Sequence, residues 1–195
     1  STIDESVSTA VNRVALRSMS KATYEPVNQG HFGLAAPFYC HFTSPIRRYP
    51  DLAAHRIIKD YLRNGQGALK KYAQFARDAA TRSSERERLA EAAEREVDDL
   101  KKAEYMAEHI GERYVGVISG VTEWGIFVEL DNSVEGLVRT DDLPDGGYVY
   151  NADLMRLDNH THSYRLGDTV AIVVFGVTGS RVAFRLDEAG SDAAD

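Results

Sequence analysis

The hydrophobic period of this chain changes at Gly111, and no single layer of structure accommodates both patterns. Upstream, apolar residues recur every three or four positions, the spacing of helices that bury one face. Residues 3–20 read as a first helix through Val7, Val11, Val14, Ala15 and Met19, ending before Glu25-Pro26. A second is predicted over residues 50–63, with Ala54, Ile57, Ile58, Tyr61 and Leu62 as its apolar stripe and Asn64-Gly65 as its stop. A long charged stretch follows from Gly67 to His109 with few breakers. Its Leu89, Ala93, Val97, Leu100, Ala103, Ala107 and Ile110 suit a long helix packed on one face, while the Arg/Glu run at 85–88 suits a solvated side.

Beyond Gly111 the pattern alternates. Residues 114–121, 125–130, 134–139, 168–175 and 181–186 give five short strands with turn residues between them, the count of an OB barrel. Residues 140–167 read as a long polar insertion before the fourth strand, and 189–195 as a frayed tail. The expected class is α+β: a helical part over 1–110, a barrel over 111–188 and the tail. If Ile126, Val128 and Leu130 point inward, the pleat turns Phe127 and Glu129 to solvent. An outward Phe beside Trp124 is a stacking platform for nucleobases.

Charge divides at the same place. Residues 1–110 hold 17 Lys+Arg against 15 Asp+Glu, whereas residues 111–195 hold 6 against 15, so a net +2 precedes a net −9. Nucleic-acid binding is therefore expected to be local, and in the acidic half to lean on stacking more than on long-range attraction. With one cysteine there is no internal disulfide. Cys40 is expected to be a small buried residue in a reducing compartment. No apolar run reaches membrane-spanning length and no signal peptide opens the chain, so a soluble, cytoplasmic protein without a membrane partner is expected.

Residues 30–52 carry the chemistry. Ser44 can cap a turn with Pro45 at its first helical position, and Pro50 can open the next helix, which sets Arg47 and Arg48 near backbone N–H groups and the positive end of a helix dipole. Guanidinium groups there favour phosphate, although one or both could instead pair with Asp51 to hold the loop. His31, His41 and His55 could act as acid or base, but hydrogen-bonded framework roles suit them better. Asp158-Asn159-His160-Thr161-His162 is too small a cluster to make a metal site without further ligands and is read as loop.

The run His41-Phe42-Thr43-Ser44-Pro45-Ile46-Arg47-Arg48-Tyr49-Pro50-Asp51-Leu52, with His55-Arg56 after it and Gly30-His31-Phe32-Gly33-Leu34-Ala35 before it, closely resembles the late motif of the catalytic domain in the ribonuclease II and ribonuclease R (RNB) family. Gly116-Val117-Ile118, Trp124-Gly125-Ile126-Phe127-Val128 and Glu135-Gly136-Leu137-Val138 resemble an S1-type RNA-binding barrel. The resemblance implies the helical C-terminal portion of an RNB catalytic domain followed by an S1 domain, from a processive 3'-to-5' hydrolytic exoribonuclease that uses Mg²⁺ and releases nucleoside 5'-monophosphates.

Within that resemblance Arg47 falls next to the scissile phosphate, where it would stabilise developing charge, and Arg48 could contact a neighbouring phosphate. Glu94 matches an acidic residue near the 3'-terminal nucleotide, although a solvated helical ion pair is an equal alternative for it. Trp124, Phe127, Arg139 and Arg181 fall where the S1 pattern contacts RNA, whereas Val177 replaces a frequent acidic residue. Tyr148 and Tyr150 are weaker candidates, since loop tyrosines often serve as anchors.

Two-metal hydrolysis needs several carboxylates converging on ions about 4 Å apart. The family's aspartate cluster has no counterpart here, because Asp98-Asp99 and Asp141-Asp142 lack further spaced partners. The expected partners are single-stranded RNA and the N-terminal remainder of the same enzyme, with magnesium held outside this chain and the isolated chain inactive. A stand-alone RNA-binding adaptor is the competing class.

Overall fold

A computed structural model describes residues 15, 16 and 18–187. The helix expected over 3–20 lies almost wholly outside them, and so does the tail at 189–195. Among the described residues the main elements are α1 (Tyr49–Asn64), α2 (Gly67–Ala107), β1 (Arg113–Thr122), β2 (Gly125–Leu130), β3 (Glu135–Arg139), β4 (Val149–Asn151), β5 (Arg156–Asp158), β6 (Ser163–Arg165), β7 (Thr169–Thr178) and β8 (Arg181–Leu186). Two compact units divide within α2, one of residues 20–94 and one that holds Arg95 onward.

In the first unit α1 begins with Pro50 in its first turn and stops where Gly65, at φ 61°, donates its N–H to the Tyr61 carbonyl at 2.8 Å. Glycine reaches that conformation without a Cβ penalty, so Asn64-Gly65 ends the helix as read from the sequence. The buried face is not the expected stripe. Asp51 and Ala53 are buried, whereas Ile58, Tyr61 and Leu62 are exposed. On α2 the predicted apolar face is open too, since every residue from 85 to 101 is exposed and of the stripe only Ala103 is buried. Helical spacing states which side chains share a face and says nothing about what covers them. Cys40 is likewise exposed, because the loop that carries it lies open and leaves Phe38, Tyr39 and Phe42 exposed with it.

In the second unit the five expected strands form a closed barrel in the order β1-β2-β3-β8-β7, all antiparallel except the β3–β8 pair. Ile126, Val128, Ile172, Val174, Val182 and Phe184 fill its interior, with Ala103 and Met106 of α2 packed into the same core. Two bulges bend the wall. One sets Ser119 between Ile118 and Gly120 of β1, and the other sets Phe175 between Val174 and Gly176 of β7. Ser119 is fully buried and donates its hydroxyl to Glu135 at 2.5 Å.

Glycine is required where strands approach most closely. A Cβ on Gly136 would stand 2.5 Å from the Phe184 ring, and one on Gly125, at φ 145°, would stand 2.0 Å from the Val138 carbonyl oxygen.

Residues 140–167 are not a loose insertion. They carry the β4-β5-β6 sheet, which buries Leu143 and Leu157 against the barrel core. The presumed loop at 158–162 is the hairpin turn between β5 and β6, where Asn159 Oδ1 accepts from the N–H groups of Thr161 and His162. Tyr148 closes the loop before β4 by donating to the Pro144 carbonyl at 2.8 Å.

Candidate functional site

The turn before α1 separates the two arginines. The Ser44 carbonyl accepts from the N–H groups of Arg47 at 3.2 Å and Arg48 at 2.9 Å, closing the turn over Pro45 and Ile46. The amides of Arg47 and Arg48 are therefore both used within the turn. Asp51 Oδ1 accepts from the Ser44 N–H at 2.7 Å and from the Arg48 guanidinium at 2.9 Å. Asp51 is wholly shielded from solvent. Burial pushes its carboxyl pKa up, but the Ser44 N–H and the Arg48 guanidinium outweigh burial and hold it below the ordinary 3.8.

Arg48 is thus committed to the loop. Arg47 is exposed, and among the described residues no carboxylate pairs with it. Of the two arginines only Arg47 keeps an unengaged guanidinium, a fork whose shape matches a phosphate.

The three histidines around it are framework. His31 Nδ1 accepts from the Leu34 N–H at 3.2 Å, His41 Nδ1 is bonded to the Tyr24 hydroxyl at 2.9 Å, and His55 Nε2 is bonded to the Phe42 carbonyl at 2.8 Å. Burial, followed by the charge of Glu87, raises the Tyr24 pKa. Glu94 is exposed on α2. A cleft of about 720 Å³ in this unit is lined by Tyr49, Phe75, Arg82 and Arg86, and the buried hydroxyl of Ser83 on its wall lacks a hydrogen-bond partner.

On the barrel, Trp124 projects from the β1–β2 turn with 71% of its surface exposed. Phe127 faces outward but is half-buried, because its ring lies over Gly120, where a Cβ would come within 3.6 Å. Arg139 at the end of β3 lies 3.3 Å from Asp141, and Arg181 is exposed at the start of β8. Sequence reading passed over Phe175 and Arg185. The Arg185 guanidinium lies 3.5 Å from the centroid of the half-exposed Phe175 ring. The bulge at Phe175 hid the pair by breaking strict alternation along β7.

The RNB domain family matches residues 1–64, and the S1 RNA binding domain family matches residues 108–183. Ribonuclease R 1 of Lactococcus lactis is 42% identical over 184 residues, covering 91% of this chain and 22% of that protein. Ribonuclease R of Aquifex aeolicus is 44% identical over 183 residues, covering 91% and 26%. The chain belongs to the RNB family. What it carries is the C-terminal part of the RNB domain together with an S1 domain, and it spans about a quarter of the length of the curated relatives it matches.

The RNB-family fold is seen in a solved structure as well. Mycoplasma genitalium RNase R in complex with ribose methylated single-stranded RNA superposes with a TM-score of 0.83 at 27% identity, covering 89% of this chain and 28% of that one. Glu94 falls between the two matched stretches.

RNB-family chemistry implies magnesium. Among the described residues no three His, Cys, Asp or Glu side chains converge where an ion could be held, so the residues present do not fit that centre. Among the same residues, no helix is long and apolar enough to cross a membrane.

Proposed function

We propose that this chain is the C-terminal portion of a processive 3'-to-5' exoribonuclease that hydrolyses RNA to nucleoside 5'-monophosphates in the cytoplasm. Its working parts are the helical segment 1–110 and the S1 barrel 111–188, followed by the tail 189–195. The observation that carries this reading is the division of labour between Arg47 and Arg48. Arg48 is tied to a buried carboxylate, while its neighbour keeps a free guanidinium in solvent. A loop built only for stability has no need of the second arginine.

In the whole enzyme Arg47 would face the phosphate under attack and stabilise the charge that develops on its oxygens. Arg48 would position Arg47 by fixing the turn, with any phosphate contact of its own secondary. Glu94, a solvent-facing carboxylate, would accept a hydrogen bond from a ribose hydroxyl of the terminal nucleotide and so favour RNA over DNA. The magnesium that such an enzyme uses would be held by residues outside this chain. Trp124 and Phe127 would stack on bases of single-stranded RNA, with Arg139 and Arg181 beside them.

Incubating the 195-residue chain with Mg²⁺ and a 5'-labelled single-stranded RNA tests the proposal. The expected result is a mobility shift without shortening. Release of nucleoside monophosphates would refute the assignment of catalysis to residues elsewhere, and an unaltered turnover in the full-length protein carrying Arg47→Ala would favour a binding or adaptor role.

A further inference from the structure

We infer that the RNA-binding face of the barrel extends beyond Trp124 and Phe127 across β3 and β8 to Phe175 on β7, and that Arg185 stacked on Phe175 forms a further subsite for one unpaired nucleobase of single-stranded RNA. The inference rests on the S1 reading above and adds residues to it.

Register places the groups in one row. Gly125 pairs with Arg139 across β2 and β3, and Leu137 pairs with Ala183 across β3 and β8. Two residues further along these parallel strands, side chains return to the same face, which sets Arg139 beside Arg185. The consecutive carboxylates of Asp141 and Asp142 reach these two arginines, at 3.3 and 3.5 Å. Arg185 in turn lies over Phe175. The sequence across the wall is therefore Trp124, Arg139, Arg185, Phe175.

The flat Arg185–Phe175 stack, continuous with the Trp124–Phe127 face, names the occupant. Of the six Lys+Arg in the otherwise acidic half, Arg139, Arg181 and Arg185 all point outward from β3 and β8. Glu129 and Glu135 pair at the opposite end of the face, next to Arg181, whereas in the Trp124–Phe175 row Asp141 and Asp142 balance Arg139 and Arg185, so a base is held there by stacking and not by net charge. A guanidinium laid flat on an aromatic ring presents a second flat cationic surface, and bases stack on such planes as they do on aromatic rings. Phe175 and Arg185 are each about half exposed, at 51% and 49%, so a base can reach the stack without unfolding the wall. Had Arg185 served only to shield Phe175, neither group would keep so much surface.

The test measures affinity of the full 195-residue chain for fluorescein-labelled oligo(rA) of twelve and of four nucleotides at low salt. Phe175→Ala and Arg185→Gln are each expected to weaken binding of the twelve-mer about tenfold, with little effect on the four-mer, which Trp124 and Phe127 alone can hold. Phe175→Tyr keeps the stack and should keep the affinity, provided circular dichroism shows the barrel intact in all variants. If Trp124→Ala weakens binding but Phe175→Ala and Arg185→Gln do not, this subsite is refuted and the S1 reading stands. If wild type binds neither oligomer, or Trp124→Ala changes nothing, both fall. Loss of the Phe175 effect on the twelve-mer when Phe175→Leu binds as well as wild type would also overturn stacking.

Discussion

The guanidinium of Arg48 lies 2.9 Å from the carboxylate of Asp51, and Asp51 has no exposed surface. Around that pair the turn carrying Arg47 is built. The second oxygen of Asp51 and the Nε of Arg48 are both buried without a partner, so the pair depends on its one good contact and on the Ser44 N–H.

Asp51 therefore makes the first unit sensitive to acid. Its folded-state pKa lies below its ordinary 3.8, so the stability it supplies is fully present above about pH 4 and is lost as pH falls through the depressed value. Asp51→Asn should remove this acid limb and lower the thermal midpoint at neutral pH by on the order of 5–10 °C. Melting curves across pH 2–6 for both proteins check it, and an unaltered acid limb in the variant would assign that limb to another carboxylate.

Arg47 is predicted to act on turnover and not on folding. In the full-length protein Arg47→Ala should slow single-turnover release of nucleotides on the order of 100- to 1,000-fold while changing RNA affinity less than about threefold. Arg47→Lys should recover only part, since an ammonium keeps charge without the fork. Equal losses in binding and turnover would place Arg47 in ground-state recognition.

Gly125 is predicted to be intolerant of any side chain. Gly125→Ala sets a methyl group against the Val138 carbonyl at a positive φ and should cost the barrel about 3 kcal/mol or more in urea unfolding. Gly176→Ala, where a Cβ meets nothing within 4 Å, should change stability by less than about 0.5 kcal/mol.

RNA binding should be dominated by stacking. Trp124→Ala is expected to weaken binding of single-stranded RNA about tenfold. With three outward arginines on the face, the slope of log affinity against log salt should be no steeper than about −2. Titration at several salt concentrations measures both, and a much steeper slope would require cations elsewhere on the chain.

Much of the barrel was legible in the sequence because the physics is local. Ile126, Val128 and Leu130 alternate with Phe127 and Glu129, and the pleat alone decides which set faces the core. The β4-β5-β6 sheet was not legible, since each strand has three residues and little beyond Tyr150, Leu157 and Tyr164 to bury. Helix positions came through for α1 and α2, but the cover of their apolar stripes did not, because periodicity is a property of one element and burial a property of two.

At the candidate site, the sequence displayed two adjacent arginines and a nearby carboxylate without saying how they pair. Which arginine meets Asp51 depended on backbone geometry, and the i,i+3 spacing of Arg48 and Asp51 was the available clue. Phe175 and Arg185 escaped notice since a bulge shifts the count along β7.

The parallel seam between β3 and β8 has a kinetic consequence. Its partners Gly136 and Val182 stand 46 positions apart, and only two residue pairs hold the junction. Drawing in the intervening polypeptide costs loop entropy that so short a ladder offsets only in part, so this edge is expected to be among the first where backbone amides exchange with deuterium.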